Sequence, residues 1–452
     1  MHRFDERTEA IARAIIDYAL ERVRLDPPPL DGTRTPDELG AAAGQAITPM
    51  GIGGIEALRV FAEVLAPATI SVDHPRFLAF VPAAPTEASV LFDLVVGASS
   101  IYGGSWLEGA GAAFAENQAL RWIADLAGLP PEAGGVFVSG GTAANLSALV
   151  AARHAWRSRQ GITSEDATRS VIVVSDAAHS SVAAAARVMD ALMLVVPTDE
   201  RGRLTGERLE QTVAEADLRG VFAIVATAGT TNAGIVDDLM GIADVAAANG
   251  LWLHVDGAYG LAALAAESAR PLFRGIHRAD SLSVDPHKWL FAPFDCAALL
   301  YRDPDLARQA HTQHAAYLDV LQSGPDWNPS DYAFHLSRRA RGLPFWFSLA
   351  THGTDAYGEA IETTLELARA TARLIEADPH VELLVEPELS VVLFRRVGWA
   401  PADYAAWSDR VLNEGLTLTV PTTWRGETCL RFCFVNPRTT IDDVALILAT
   451  LG

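Results

Sequence analysis

Apolar and polar residues follow three patterns along the chain. From about Thr8 to Val23 the apolar positions recur every three or four residues, and "GIEALRVFAEVL" repeats this spacing after the proline-rich break "LDPPPLDG". Such spacing predicts amphipathic helices, whose apolar stripes would be exposed in isolation. We therefore predict that residues 1–73 form a helical segment packed on another domain or on a partner subunit.

From about residue 74 short β-branched runs alternate with alanine-rich helical segments such as "DLMGIADVAAANG". The runs are apolar for most of their length, as strands covered on both faces are. This alternation predicts an α/β domain with a mostly parallel sheet over residues 74–345. The strand candidates are "SVIVVSD", "LMLVVPTD", "VFAIVATAG", "LWLHVDG" and "DSLSVDP".

Two further regions follow this pattern. Residues 311–343 have few apolar runs and contain "QSGPDWNPSD", which is typical of a long mobile loop and a candidate lid. The helical "GEAIETTLELARATARLIEA" then precedes the strand-like "VELLVEPELSVVLFRRV" and "CLRFCFV". Residues 346–452 are therefore predicted to form a smaller C-terminal α/β domain.

The composition narrows the class of protein. A chain of 452 residues with 50% hydrophobic content and no membrane-length apolar run predicts large buried cores and an oligomer. Its net charge of -21 argues against nucleic-acid binding, and the basic "RRAR" at Arg338, Arg339 and Arg341 is too short to reverse this. We expect neither a nucleic-acid nor a membrane partner.

The cysteines and the N-terminus indicate a reducing compartment. Cys296, Cys429 and Cys433 have no CxxC spacing and an odd total, so they are predicted to be buried thiols and not a disulfide frame or a metal site. The N-terminal "MHRFDERTEAIARAIIDYALERV" is interrupted by charges and reads as an amphipathic helix, not as a signal peptide or an anchor. The expected location is the cytoplasm.

Lys288, in "SVDPHKWLF", is the only lysine of the chain. A surface lysine at a strand end is the ordinary interpretation. However, arginine can do every purely electrostatic task, whereas only lysine forms an imine with an aldehyde. Apolar flanks would also desolvate the ammonium and lower its pKa. We therefore interpret Lys288 as a Schiff-base lysine.

Other strand-end residues complete a candidate cofactor site. Asp256 ends an apolar strand in "LWLHVDGAYG", where it either caps a turn or meets a cation such as a pyridinium nitrogen. The turn in "VFVSGGTAANLSAL" opens a helix, whose exposed amides can bind a phosphate. His179 in "SDAAHSSV" can stack on a ring, and Thr227 and Thr230 offer hydroxyls, although loop threonines usually satisfy local backbone groups. Together these residues predict pyridoxal 5'-phosphate as the cofactor.

The motifs "SGGTAANLSAL", "SDAAHSSV", "ATAGTTNAG", "LHVDGAYG" and "DPHKWL" resemble those of the group II pyridoxal-phosphate-dependent amino-acid decarboxylases, including the aromatic-L-amino-acid decarboxylases. The resemblance extends from about "DHPRFLAF" to "LRFCFV". It implies a type I aminotransferase-like fold with a mostly parallel sheet of the seven-stranded type. It also implies a homodimer with active sites at the subunit interface.

The resemblance assigns roles position by position. Lys288 would hold the cofactor, Asp256 would pair with its ring nitrogen and His179 would stack on its ring. The remaining matches concern smaller contacts. Gly141 and Thr142 would bind the phosphate with help from His287, Thr227 and Ala258 would lie near the ring, and Phe80, Pro82 and Trp106 would line the substrate side chain.

The reaction implied is decarboxylation of an L-amino acid to the amine and carbon dioxide. In this family the proton donor is commonly a loop tyrosine, and its replacement by phenylalanine is associated with oxidative deamination to an aldehyde. Aligning "LSRRARGL" without gaps places Pro329 at this position, with Tyr332 three residues later. Either Tyr332 donates the proton or the donor is lost, so aldehyde formation, or another reaction on the same scaffold, stays the alternative.

The walls "RFLAFVPAAP" and "GGSWLEG" are mostly apolar, with Ala83 where a polar group could stand. They favour an aromatic or aliphatic substrate over glutamate or aspartate. Arg76 would contradict this if it pointed into the site.

Overall fold

The structure is a computed structural model that describes residues 2–163, 169–216, 218–316, 318 and 327–452. Its α-helices are α1 Glu6–Val23, α2 Pro36–Ala43, α3 Gly54–Val60, α4 Glu87–Ser99, α5 Trp106–Leu126, α6 Gly141–Gln160, α7 Ser180–Val188, α8 Gly206–Glu215, α9 Leu239–Ala248, α10 Pro286–Trp289, α11 Pro304–His311, α12 Leu343–His352, α13 Thr354–Ala377, α14 Pro401–Asn413 and α15 Ile441–Leu448. Its strands are β1 Gly134–Val138, β2 Val171–Ser175, β3 Leu192–Val196, β4 Val221–Thr227, β5 Trp252–Asp256, β6 Ser281–Val284, β7 Ala297–Tyr301, β8 Val381–Val385, β9 Val391–Arg396, β10 Pro421–Trp424 and β11 Glu427–Cys433.

The larger sheet confirms the predicted mostly parallel α/β architecture. Among the described residues it has seven strands in the order β1-β7-β6-β5-β4-β2-β3, and only β7 runs antiparallel to its neighbours. All residues of β4, β5 and β6 are buried. Separate apolar clusters cover the two faces, one containing Phe137 and Ile224, the other Val138 and Phe222. The carboxyl ends of β4, β5 and β6 therefore meet at one edge of the sheet.

One of the predicted strands is less covered than its apolar sequence suggested. β3 lies at the edge of the sheet, and Leu192, Met193 and Val195 are exposed. The expectation that this strand is buried on both faces is wrong for these three side chains, which lie on the edge strand and stay accessible to solvent.

The C-terminal region contains an antiparallel sheet in the order β10-β11-β9-β8. Its core joins the sheet to α13, α14 and α15 through buried residues such as Phe394, Phe432 and Val444. Leu78 belongs to this core, and its backbone bonds to Leu418 and Cys433. Residues near position 78 therefore pack on the small sheet. The predicted domain bounds stay predictions.

The N-terminal helices expose apolar side chains. α1 and α2 contain no buried residue, and Ile15, Ile16 and Ile55 are exposed. This agrees with the predicted helical segment that needs a partner surface. In the described part of the chain no helix is both long and apolar enough to cross a membrane. The cellular compartment stays a prediction.

The arginines of "RRAR" are used in ion pairs. Arg338 pairs with Glu116, Arg339 with Asp93 and Arg341 with Asp295. The segment around them is packed, since Asn328, Pro329, Ser330, Asp331 and Tyr332 are all buried. This part of the predicted 311–343 loop is therefore ordered against the core. Residues 317 and 319–326 lie outside the described residues, and their proposed mobility stays a prediction.

Candidate active site

A cavity of about 410 Å³ opens at the carboxyl ends of β4, β5 and β6. It brings together eight of the predicted site residues, as expected for loops that leave one edge of a parallel sheet. These residues are Gly141, Thr142, His179, Thr227, Asp256, Ala258, His287 and Lys288. The predicted cofactor and anion residues therefore share one site. Thr230 is buried and bonds to its own loop, with Oγ1 accepting from Ile235 N at 3.1 Å.

Lys288 extends from the short helix α10 towards a carboxylate. Its Nζ lies 3.0 Å from Asp285 Oδ2, and its side chain is 24% exposed. Burial lowers the pKa of Lys288, but the charge and the hydrogen bond of Asp285 raise it by more than burial lowers it. The net pKa therefore lies above its ordinary value. The predicted net lowering of the Lys288 pKa is therefore wrong. That prediction considered only the apolar residues on either side of Lys288 and left out its ion pair with Asp285, one helical turn earlier.

Asp256, at the last position of β5, is 5% exposed and faces the cavity. Its Oδ2 accepts from Asn145 Nδ2 at 2.8 Å, and its Oδ1 accepts from Ala258 N at 3.2 Å and from Ser283 Oγ at 3.4 Å. Within the described ranges no lysine or arginine nitrogen lies within 4.0 Å of it. A buried carboxylate without an adjacent cation favours a positively charged ligand group in the cavity.

The glycine turn places the first residues of α6 against the cavity. Gly140 precedes the helix and supplies no capping side chain. Gly141 N donates to Asp285 Oδ2 at 3.2 Å, so this helix terminus already binds an anionic group. A Cβ at Gly141 would lie 3.0 Å from Ala258 Cβ and 3.1 Å from Asp285 Oδ2, which explains why glycine occupies this position.

Thr227 ends β4 and is held by a buried aspartate. Asp237 Oδ2 accepts from Thr227 N at 2.7 Å, and Asp237 Oδ1 accepts from Leu204 N at 2.8 Å. Burial raises the pKa of Asp237 to about 7. The hydroxyl of Thr227 is itself buried and has no hydrogen-bond partner. This unpaired hydroxyl lines the cavity and is free to bind a polar ligand atom.

Two histidines occupy different walls of the cavity. His179 begins α7, and its Nδ1 accepts from Ser181 N at 3.2 Å and lies 2.8 Å from Ser181 Oγ. His287 is buried, and its Nδ1 accepts from Cys296 N at 3.1 Å. Burial lowers the pKa of His287. The aromatic ring of Phe294 packs on His287, with ring centroids 4.8 Å apart.

The comparisons with known proteins agree with this geometry. A family model described as "Pyridoxal-dependent decarboxylase conserved domain" matches residues 57–397. This chain belongs to that family. An aromatic-L-amino-acid decarboxylase of Bacillus atrophaeus is 32% identical over 394 residues, which cover 83% of this chain and 80% of that protein. An L-2,4-diaminobutyrate decarboxylase of Acinetobacter baumannii is 28% identical over 442 residues, covering 91% and 86%.

A solved structure supports the fold. The crystal structure of "Oryza sativa TDC with PLP and tryptamine" superposes with a TM-score of 0.91 and 24% identity, covering 100% of this chain and 99% of that one. The type I fold predicted from the motifs is thereby confirmed. The family also confirms that this decarboxylase is an enzyme that uses pyridoxal phosphate.

The cavity of this decarboxylase fits pyridoxal phosphate at four points. Asp256 offers a buried carboxylate for the protonated ring nitrogen, and the unpaired Thr227 hydroxyl offers a hydrogen bond near the ring. Lys288 offers the amine for covalent attachment. The start of α6 offers the anion site, although a phosphate there would displace Asp285 Oδ2 from Gly141 N. The individual residue roles stay proposals.

The structure does not bring the predicted substrate residues to this cavity. Phe80 is 61% exposed, Pro82 is buried elsewhere and Trp106 begins α5, where its backbone N donates to Asn328 Oδ1 at 2.9 Å. None of the three lines the cavity of its own chain. Their predicted role in lining the substrate side chain therefore requires a second chain and stays a prediction.

Tyr332 also lies apart from the cavity. It is 4% exposed, and its ring stacks on Trp327 with centroids 4.1 Å apart within the apolar cluster that contains Val136 and Tyr301. Burial raises the pKa of its phenol. The assignment of Tyr332 as a catalytic residue of its own chain is therefore not supported, because counting residues without gaps could not place its side chain.

Sequence reasoning missed Asp285 and Asn145. Asp285 lies three residues before Lys288, and this spacing on one helical turn was a usable signal for the ion pair. Asn145 lies four residues after Gly141 and therefore shares its face of α6. Phe294, which is exposed and lines the cavity, had no comparable signal.

Proposed function

We propose that this decarboxylase removes the α-carboxylate of an L-amino acid with an aromatic or aliphatic side chain and releases the amine and carbon dioxide. The observation that carries the proposal is the cavity that contains both Lys288 and the buried Asp256 and, among the described residues, no arginine. The relationship to an aromatic-L-amino-acid decarboxylase supports the substrate class.

Pyridoxal phosphate, when bound, supplies an aldehyde for covalent attachment and a conjugated ring that accepts the electrons released with carbon dioxide. Lys288 must lose a proton from Nζ before its amine can attack, and Asp285 Oδ2 lies 3.0 Å away to accept it. Asp256 keeps a proton on the ring nitrogen by its negative charge. His179, which lines the same cavity, would orient the ring by stacking on it.

The charges of the cavity disfavour acidic substrates. Its described lining includes the carboxylates of Asp256 and Asp285 and no guanidinium that could bind a side-chain carboxylate. Arg76 points elsewhere, since its Nε lies 4.0 Å from Asp443 Oδ1. The exposed ring of Phe294 adds apolar surface. These features support an apolar side chain in the substrate.

A panel of L-amino acids tests this proposal. Purified holoenzyme is incubated with phenylalanine, tyrosine, tryptophan, leucine, valine, histidine, 2,4-diaminobutyrate and glutamate, and carbon dioxide and amine are measured. We expect kcat/KM for the preferred aromatic or aliphatic substrate to exceed that for glutamate by about 100-fold or more, since a buried unpaired carboxylate is strongly disfavoured.

The same panel distinguishes the alternative reaction. Each assay is run in air and under argon, with aldehyde and hydrogen peroxide measured beside the amine. Aldehyde that appears only in air would replace the amine assignment by oxidative deamination. Turnover of glutamate or diaminobutyrate above that of every apolar amino acid would contradict the proposed substrate class but not the decarboxylase family.

Replacing Tyr332 with phenylalanine is expected to leave the ratio of amine to aldehyde unchanged and kcat within about threefold of the original, because the phenol is buried against Trp327 and does not reach the cavity. Product analysis by chromatography measures both. Tyr317, the other tyrosine between residues 311 and 343, lies outside the described residues, and Tyr317→Phe provides the comparison.

Aldehyde formation by the Tyr332→Phe variant would restore Tyr332 as the proton donor. Aldehyde formation by Tyr317→Phe alone would instead assign the donor to that position. Each variant removes a single hydroxyl and keeps the aromatic ring. The products of the two variants are compared at equal cofactor content.

We also propose that the enzyme is a homodimer whose interface completes the active site. Support comes from apolar side chains that a single chain leaves in water on α4 and α5, namely Leu91, Leu94, Val95, Leu107 and Phe114. Patches of this kind usually mark a protein interface. The exposed Phe80 and the incomplete substrate wall agree with a contribution from a second chain.

A further inference from the structure

A chain of buried polar side chains lies directly behind the cavity. Trp252, His254 and Asp256 alternate along β5 and therefore share one face of the sheet. Ser281 of β6 is the register partner of His254, and Asn145 of α6 covers this face. The bonds join Trp252 Nε1 to Ser281 Oγ (2.8 Å), Ser281 Oγ to His254 Nδ1 (2.9 Å), His254 Nε2 to Asn145 Oδ1 (2.9 Å) and Asn145 Nδ2 to Asp256 Oδ2 (2.8 Å).

The chemistry of these groups fixes the direction of every bond. An indole nitrogen only donates, so Ser281 Oγ accepts from Trp252. The Asp256 carboxylate accepts the Asn145 Nδ2 hydrogen, so Asn145 turns Oδ1 towards His254 Nε2, and Ser281 Oγ donates to the remaining nitrogen, His254 Nδ1. Burial lowers the pKa of His254 to about 4, against the opposing charge of Asp256, so the ring is neutral. A neutral imidazole that accepts at Nδ1 carries its hydrogen on Nε2, and that hydrogen is donated to Asn145 Oδ1.

Asn145 connects this chain to a second cavity residue. Its two Nδ2 hydrogens go to Asp256 Oδ2 and, at 2.9 Å, to Ser181 Oγ. The opposite amide orientation would place an oxygen against the carboxylate and the NH2 group against the protonated nitrogen of His254. Ser181 Oγ therefore donates to His179 Nδ1, which also accepts from Ser181 N. His179 is left with its hydrogen on Nε2.

The branch from Trp252 through Ser281, His254 and Asn145 thus points its donors towards the Asp256 carboxylate, whereas the branch through Ser181 leads to His179. Asn145 is 1% exposed, so no water competes for its amide. The single hydroxyl hydrogen of Ser283 is shared between Asn145 Oδ1 at 3.2 Å and Asp256 Oδ1 at 3.4 Å, which ties the amide to the carboxylate a second time. A buried carboxylate is stabilised in its ionised form by such donors.

We propose that Asn145 is a positioning residue that orients the Asp256 carboxylate by its hydrogen bond and fixes the ring hydrogens of His179 and His254 on Nε2 before the cofactor binds. Its effect on the cofactor rests on the proposed role of Asp256. Losing one hydrogen bond to a buried charged group is expected to weaken pyridoxal phosphate binding by about 10- to 100-fold.

The test uses the full chain freed of cofactor and labelled with 15N in histidine. Nitrogen NMR spectra, assigned with His179→Gln and His254→Gln, report which ring nitrogen is protonated without any turnover. The variant Asn145→Asp keeps the side-chain shape and removes the Nδ2 donor. Ser147→Ala is the matched control, because Ser147 is equally buried on α6 and its hydroxyl has no hydrogen-bond partner. Pyridoxal phosphate affinity is measured for each protein by absorbance titration.

We expect the unaltered protein to carry the ring hydrogen of both His254 and His179 on Nε2. In Asn145→Asp we expect an altered His179 signal and cofactor binding that is 10- to 100-fold weaker. Ser147→Ala should bind the cofactor as the unaltered protein does. Nδ1–H on His254, or equal affinity of Asn145→Asp and Ser147→Ala, overturns the proposal. If Asn145→Asp does not fold, two variants of His254 replace it. His254→Gln retains an N–H donor and His254→Leu does not, so His254→Leu must weaken pyridoxal phosphate binding more. Equal affinities of these two variants for pyridoxal phosphate overturn the proposal. Failure of the unaltered protein to bind pyridoxal phosphate would overturn the proposed function and leave the NMR result valid.

Discussion

Replacing Lys288 with arginine is expected to abolish turnover while the protein still folds. The guanidinium can keep the ion pair with Asp285, so the local charge balance is preserved. It stays protonated and offers no free electron pair to an aldehyde. Loss of a covalent nucleophile lowers kcat by about four orders of magnitude or more. Single-turnover and steady-state assays of amine formation measure this loss.

The attachment itself can be measured without activity. Because Lys288 is the only lysine of the chain, borohydride reduction of the holoenzyme followed by peptide mass analysis has a single side-chain target. We expect the cofactor mass on the peptide with Lys288 and its absence in Lys288→Arg. Lys288→Ala provides the comparison without a cation. Turnover by the arginine variant within about tenfold of the original enzyme would contradict covalent catalysis at this position.

The positions of polar residues at the ends of predicted strands were sufficient to predict much of the site. Thr227, Asp256 and the loop of Lys288 follow consecutive parallel strands, whose carboxyl ends must lie at one edge, and the structure places all three in one cavity. The turn at Gly141 was predictable for the same reason. Local sequence and sheet direction were sufficient because these residues are anchored directly to the strands.

Other features depended on individual side-chain contacts that the apolar pattern does not contain. The apolar flanks of Lys288 predicted a lowered pKa, but the carboxylate of Asp285 reverses the sign. The ungapped count placed Pro329 at the expected position of the donor, and Tyr332, the nearest tyrosine, packs on Trp327 in another cluster, so its predicted role stays a prediction. The apolar sequence of β3 does not distinguish an edge strand from a central one. In each case the neighbour that decides the outcome is distant in sequence or comes from a loop.

Asn145 shows where sequence and structure combine. Its position on α6, one turn after Gly141, is readable from the sequence, but its role is not. The amide is informative only once His254 and Asp256 are known to lie on either side of it. A single buried polar residue then links the Asp256 carboxylate to His179 through Ser181.

Replacing Glu116 with glutamine is expected to lower the free energy of unfolding by about 3–5 kcal/mol. Arg338 is completely buried, and its guanidinium binds Glu116 through two hydrogen bonds of 2.7 and 2.9 Å. Glu116 also accepts from Gly342 N at 2.8 Å. Glutamine keeps the volume but leaves the arginine charge buried without a counter-ion. Urea unfolding of the cofactor-free protein measures the change.

The neighbouring arginine provides the control. Arg339 forms an ion pair of 2.7 Å with Asp93, but both side chains are about one-third exposed, so Asp93→Asn should cost no more than about 1 kcal/mol. The double variant Glu116→Leu with Arg338→Met removes both buried charges and should recover much of the lost stability. Equal losses for Glu116→Gln and Asp93→Asn would show that the buried pair contributes no more than a surface pair.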